Sequence, residues 1–88
     1  MSCEKHKKEI AGISDMKVLA EMIGDLHYET LHDLLKHLGH KIFKDSQKDE
    51  RVGRDRLSME LFKASLKIDS AYPHIYKAYE ISKPFMNP

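Results

Sequence analysis

The first half of the chain carries two apolar series with helical spacing. The first series is formed by Met16, Leu19, Ile23 and Leu26. The second is formed by Leu31, Leu34, Leu35, Leu38 and Ile42. At about 100° per residue the two series are centred about 95° apart on a helical wheel. One continuous helix with a twisting buried face is one interpretation. A kink or break at Gly24-Asp25 is favoured, because glycine inside a helix costs up to about 1 kcal/mol.

The ends of these helices carry capping signals. Ser14 and Asp15 have side chains that can cap a helix starting near residue 15, by accepting hydrogen bonds from the backbone N–H groups of its first turn. Asp25 offers the same for a second helix, which the apolar series predicts to reach about residue 44.

Residues 44–56 carry almost no apolar side chains, which is typical of a connection between helices. Gly53 is the predicted turn residue. The alternative is a solvated helical extension, capped by Ser46, that runs through to Leu57.

The next predicted helix, about 55–71, is apolar on two sides. One stripe holds Leu57, Leu61, Ala64, Ser65 and Ile68. The other holds Met59, Phe62 and Leu66, about 150° away on the wheel. A helix with two apolar sides is usually packed between two partners, and one of them is here expected to be a second chain. The alternative is that a C-terminal helix, with Tyr76 and Tyr79, covers the second stripe within a single chain.

Pro73 predicts a break after this helix, because the residue before a proline is pushed away from helical geometry. A short C-terminal helix over 73–82, with Pro73 in its first turn, would carry Ile75, Tyr76 and Tyr79 inward. The predicted fold is therefore an all-α, small helical bundle. It consists of a helical hairpin of about 15–44 and 55–71, kinked near Gly24, plus the 73–82 helix. The predicted organisation is a flexible arm at 1–13, one domain at 14–83 and a tail at 84–88.

Composition agrees with a small soluble protein. The 88 residues are 41% hydrophobic and 33% charged, with a net charge of +1, and the mean hydropathy is −0.57. No apolar run is long enough to cross a bilayer, so no membrane contact is expected. The charged start of the chain does not resemble a signal peptide, and the single cysteine, Cys3, fits a reducing compartment. The expected location is the cytoplasm.

Histidine is the enriched residue, with His27, His32, His37 and His40 close together. Glu29 and His32 match one copy of the Glu-x-x-His spacing found in helical di-iron sites. The wheel places both opposite the apolar stripe and hence in solvent, so a metal site using Glu29 and His32 is the least favoured function. His27, near the stripe, is expected to be half-buried; the alternative is a pH-responsive packing element.

The sequence contains no phosphate-binding loop, nucleophile motif or paired cysteines, so neither an enzyme nor a cofactor is expected. The basic segment 41–56 is the basis of an alternative function, a nucleic-acid-binding regulator. Acidic residues interleave with its basic ones and leave a net charge near +2, whereas a phosphate-binding surface usually segregates its charge. Nucleic acid is therefore not the favoured partner.

The favoured function is a non-enzymatic protein–protein interaction module, a homodimeric regulator, inhibitor or assembly factor. A chain of this length has a thin core and often gains stability by oligomerising. An unidentified protein partner is the other possibility. The expected interface residues are Met59, Phe62, Leu66, Tyr76 and Tyr79.

Overall fold

A computed structural model describes residues 6–86 of the chain. It contains three helices, α1 (Met16–Gly24), α2 (Tyr28–Arg51) and α3 (Asp55–Met86). Helices account for 80% of the structure, and the described residues form no strand. The all-α prediction and the hairpin are thereby confirmed. Residues 1–5 of the predicted arm and residues 87–88 of the predicted tail lie outside the described residues.

The chain breaks after Gly24, as the phase change between the two apolar series predicts. The Asp15 carboxylate caps α1 by accepting hydrogen bonds from the backbone N–H of Lys17 at 2.9 Å and of Val18 at 3.5 Å. The cap of α2 is not Asp25. It is His27, whose Nδ1 accepts a hydrogen bond from the backbone N–H of Glu29 at 3.1 Å.

The second helix is longer than predicted. It ends at Arg51 instead of about residue 44, so the connection is only residues 52–54 and the prediction of a 44–56 linker is wrong. Gly53, with a φ of 85°, makes the turn. The backbone N–H of Arg54 then donates to the carbonyl of Asp49 at 2.8 Å. The alternative, a solvated helical extension of this segment, was closer to the structure. Polar residues with good helix propensity extend α2 because one side of the helix packs on α3.

The third helix continues through Pro73, so the predicted break and the separate helix over 73–82 are wrong. It also includes residues 84–86, which the sequence placed in a tail. A proline inside a helix costs about 3 kcal/mol, because it removes one hydrogen bond and crowds the preceding turn. Side chains on both sides of Pro73 pack on α2, and this tertiary packing outweighs the local cost.

The two long helices pack antiparallel with a heptad seam. The side chains of α3 that face α2 follow one another at alternate steps of three and four residues; they are Ser58, Leu61, Ser65, Ile68, Tyr72, Ile75, Tyr79 and Ser82. On α2 the same spacing joins His32, Leu35, Gly39, Ile42, Ser46 and Asp49. This is the repeat of a coiled coil, in which a 3.5-residue period keeps one seam facing the partner helix.

The centre of the seam consists of small residues. Gly39 is buried, and the exposed fractions of Ser46 and Ser65 are 3% and 1%. Each serine hydroxyl donates to the carbonyl three residues before it, that of Phe43 or Phe62. No large hydrophobic side chain among the described residues is buried. The hairpin is therefore a thin layer held by closely approaching backbones, and its larger apolar side chains lie at the surface.

Candidate interaction surface

A group of exposed apolar side chains lies on one side of the hairpin. Met59, Phe62, Leu66 and Tyr76 of α3 are between 38% and 53% exposed. Phe43 of α2 lies beside them, with its ring centroid 6.0 Å from that of Phe62. We call these five residues the apolar face. Four of them were predicted as interface residues. Phe43 was not, because it lies just outside the apolar series of α2.

The two apolar stripes of α3 have different surroundings. Leu61, Ser65 and Ile68 of the first stripe face α2, whereas Leu57 is 48% exposed on the side away from the apolar face. The second stripe, Met59, Phe62 and Leu66, stays uncovered. A folded-back C-terminal helix cannot cover it, because residues 73–82 continue α3 in the same direction.

Tyr79, the fifth predicted interface residue, lies at the seam and not on the apolar face. Its ring meets the ring of His27 edge-on, with centroids 5.3 Å apart. The ammonium of Lys83 lies 5.0 Å from the Tyr79 centroid. Tyr79 therefore joins the end of α3 to the start of α2 within one chain.

Tyr76 belongs to a small polar network at the C-terminal end of the apolar face. The hydroxyl of Tyr76 donates a hydrogen bond to the Glu80 carboxylate, which lowers the pKa of Glu80 and raises the pKa of Tyr76. Lys83, with Nζ 3.4 Å from Oε2 of Glu80, is on the other side of that carboxylate. The hydrogen bond that Lys83 donates to Glu80 raises the pKa of Lys83. The apolar ring of Tyr76 is thus bordered by the charged groups of Glu80 and Lys83.

An open groove lies at the other end of the apolar face, where α2 and α3 approach the turn. Its volume is about 530 Å³. Phe43, Met59 and Phe62 form its apolar lining, and the carboxylates of Glu50 and Asp55 belong to its wall. Asp55 forms no ion pair with any described residue. The groove therefore combines apolar area with negative charge.

The histidine predictions need two corrections. His32 does not face solvent: its side chain is 19% exposed and meets the rings of Tyr72 and Tyr76 at centroid distances of 5.1 and 5.4 Å. His27 is exposed and not half-buried, although it caps α2. The error at His32 arises because the tyrosines that cover its ring come from a helix far along the chain.

Glu29 is exposed, as predicted, and does not converge with His32 on a common site. The Nδ1 atom of His32 instead lies 3.1 Å from Oδ1 of Asp33. Within the described residues, no group of three or more histidine, cysteine or acidic side chains is arranged to hold a metal ion.

The basic segment 41–56 is divided between the end of α2, the turn and the start of α3. Two of its cations are held by neighbouring acids. Lys41 pairs with Asp45 at 2.6 Å, and Arg54 pairs with Asp49 at 3.0 Å. The two helices that flank the turn are antiparallel neighbours, so the segment does not form a helix-turn-helix.

Comparison of the chain with protein-family models, curated proteins and solved structures finds no match. None of the described helices has both the length and the apolar character required to cross a membrane.

Proposed function

We propose that this chain is a small, non-enzymatic protein–protein interaction module that assembles as a homodimer through the apolar face. In this proposal it acts as a regulator, inhibitor or assembly factor, by contact alone and without a cofactor. The single cysteine supports a reducing compartment, and we propose the cytoplasm.

The observation that carries the proposal is the uncovered stripe of Met59, Phe62 and Leu66. Because α3 continues through Pro73 to Met86, no later segment within the described residues returns to cover this stripe. Contiguous apolar patches of this kind usually mark interaction sites. Identical chains most often associate as two-fold dimers, in which the same patch serves on both sides.

A single copy of the hairpin buries little apolar area of its own. A two-helix layer whose buried centre is glycine and serine removes little apolar area from water, although such removal is the main driving force of folding. A second copy that covers the apolar face would bury more apolar area, and the sequence itself need not be longer. The nucleic-acid alternative has weaker support, because acidic side chains already pair with Lys41 and Arg54.

The test is a matched pair of substitutions on α3. Leu66 and Leu57 are 47% and 48% exposed, and they lie on opposite sides of the helix. Leu66→Asp places a charge within the proposed interface and should dissociate the dimer, because burying an unpaired carboxylate is costly. Leu57→Asp should leave it intact.

Sedimentation equilibrium gives the dissociation constant of each variant, and circular dichroism shows whether each is folded. A wild-type chain that is monomeric at micromolar concentration would refute the homodimer. Equal effects of the two substitutions would refute the apolar face as its interface.

A further inference from the structure

A heptad series on α3 runs beside the seam and includes two residues of the apolar face, Phe62 and Tyr76. Its members are seven residues apart and lie at about 10 Å intervals along one side of the helix. They are Asp55, Phe62, Asp69, Tyr76 and Lys83. The series is arranged around Asp69: an aromatic ring flanks it on either side, and the two ends carry opposite charges.

From this arrangement we infer that two copies pack their α3 helices antiparallel across the apolar face, with the two-fold axis at Asp69. This inference rests on the proposed homodimer and specifies its register. Because the spacing is the same on both sides of Asp69, a single register of the two helices places every member of the series opposite a member of the partner's series. Asp55 meets the partner's Lys83, and Phe62 meets the partner's Tyr76.

Charge complementarity selects this orientation. In a parallel pairing Asp55 would face its own copy and so would Lys83, which places like charges opposite each other at both ends. In the antiparallel pairing both ends carry opposite charges, and only Asp69, on the axis, meets its like. One oxygen of that carboxylate, Oδ1, lies beside Gly39 of the same chain. Opposite charges placed across an interface fix its register and exclude wrong alignments.

The side chains are available for these contacts. Asp55 has no ion pair among the described residues. The Lys83 side chain is 51% exposed, although its ammonium lies 3.4 Å from Glu80 and 5.0 Å from the centroid of the Tyr79 ring. Phe62 and Tyr76 are 38% and 43% exposed. Leu66, the one leucine of the apolar face as defined above, would lie beside the partner's Pro73. The pairing therefore covers the stripe that the single chain leaves open.

The decisive experiment mixes two charge-reversed chains, Asp55→Lys and Lys83→Glu. Each variant alone has two like-charge pairs in its homodimer, so each dimer should be weaker than wild type by about tenfold. In the heterodimer of the two, the introduced lysine faces the introduced glutamate. The unchanged lysine of one chain faces the unchanged aspartate of the other, so both pairs are attractive again.

Sedimentation equilibrium of the equimolar mixture should therefore show dimers about as stable as wild type. Lys67→Glu is the matched control, because this exposed lysine lies about 160° from Asp69 on the wheel of α3. It should leave the dissociation constant unchanged when tested alone. A mixture that dimerises no better than its two components would overturn the register, even if the wild-type chain is a dimer. A monomeric wild type would instead refute the proposed function itself.

Asp69→Asn provides an independent test that adds no new charge. Removing the two like charges at the axis should tighten the dimer by about threefold or more. Unchanged or weaker dimerisation of this variant would mean that the two Asp69 carboxylates do not face each other, and would overturn the inference.

Discussion

Gly39 of α2 lies directly against Ile68 of α3. A β-carbon added at Gly39 would be 3.1 Å from Cγ2 of Ile68 and 2.8 Å from Oδ1 of Asp69. The absence of a side chain at this one position lets the two helices approach closely, since the distance between packed helices depends on the residues at their contact.

A large side chain at Gly39 should therefore destabilise the hairpin. We expect Gly39→Leu to lower the free energy of unfolding by about 1–3 kcal/mol, because overpacking forces the helices apart. Urea denaturation at one fixed protein concentration measures this change. Gly24→Leu is the control, because nothing lies within 4 Å of a β-carbon there. Similar losses for the two variants would contradict a specific close approach at Gly39.

The contacts of His32 predict a difference between two polar residues in the first turns of α2. His32→Ala should lower the free energy of unfolding by about 1–2 kcal/mol, because it removes the ring contacts with Tyr72 and Tyr76. Glu29→Ala should change it by no more than about 0.5 kcal/mol, as is usual for an exposed residue. Thermal and urea denaturation distinguish the two. Equal stability of the two variants would mean that the ring contacts of His32 contribute nothing.

The Tyr76–Glu80 pair predicts a dependence of stability on pH. The hydrogen bond from the Tyr76 hydroxyl lowers the pKa of Glu80 below its ordinary 4.5. The stabilisation from the Glu80 carboxylate is therefore present above that pH and is lost as the pH falls through the lower folded-state pKa. The same bond raises the pKa of Tyr76 above 10.0, so its contribution is present below pH 10 and lost at higher pH.

Urea denaturation of the wild type and of Glu80→Gln over a range of pH tests this relationship. The stability difference between them should be constant near neutral pH and should shrink in acid, where both side chains are uncharged. The control repeats the comparison in chains that also carry Tyr76→Phe. Without the Tyr76 hydroxyl, the stability difference between the chains with and without Glu80→Gln should be smaller at neutral pH. A difference that grows as the pH falls would have the wrong sign and would exclude the pairing.

Much of the local structure was predictable. The Asp15 cap, the break after Gly24 and the turn at Gly53 all depend on residues within a few positions of each other. The second stripe of α3 was also predictable, because Met59, Phe62 and Leu66 have helical spacing. The length of α2 was not, since its polar last turns carry no apolar stripe and are held by packing of Ser46 and Asp49 toward α3.

The errors at Pro73 and at His32 have one origin. A proline predicts a break only when local energies decide, and here α3 packs on α2 before and after it. His32 faces solvent on the wheel of its own helix, yet two tyrosines from α3 come to lie against it. Neither contact is visible in the sequence, because the residues that make it are about forty positions apart.

Helix capping, helix propensity and glycine conformation act over a few residues. The helical character of this chain, the start of α1 and the position of the hairpin turn can therefore be read from the amino-acid order alone. Which stripe of α3 is covered by α2 and which remains open depends on the packing of the two helices. The reason is geometric: the short turn at Gly53 sets the register of the two helices, and that register brings Gly39 against Ile68 and leaves Met59, Phe62 and Leu66 at the surface.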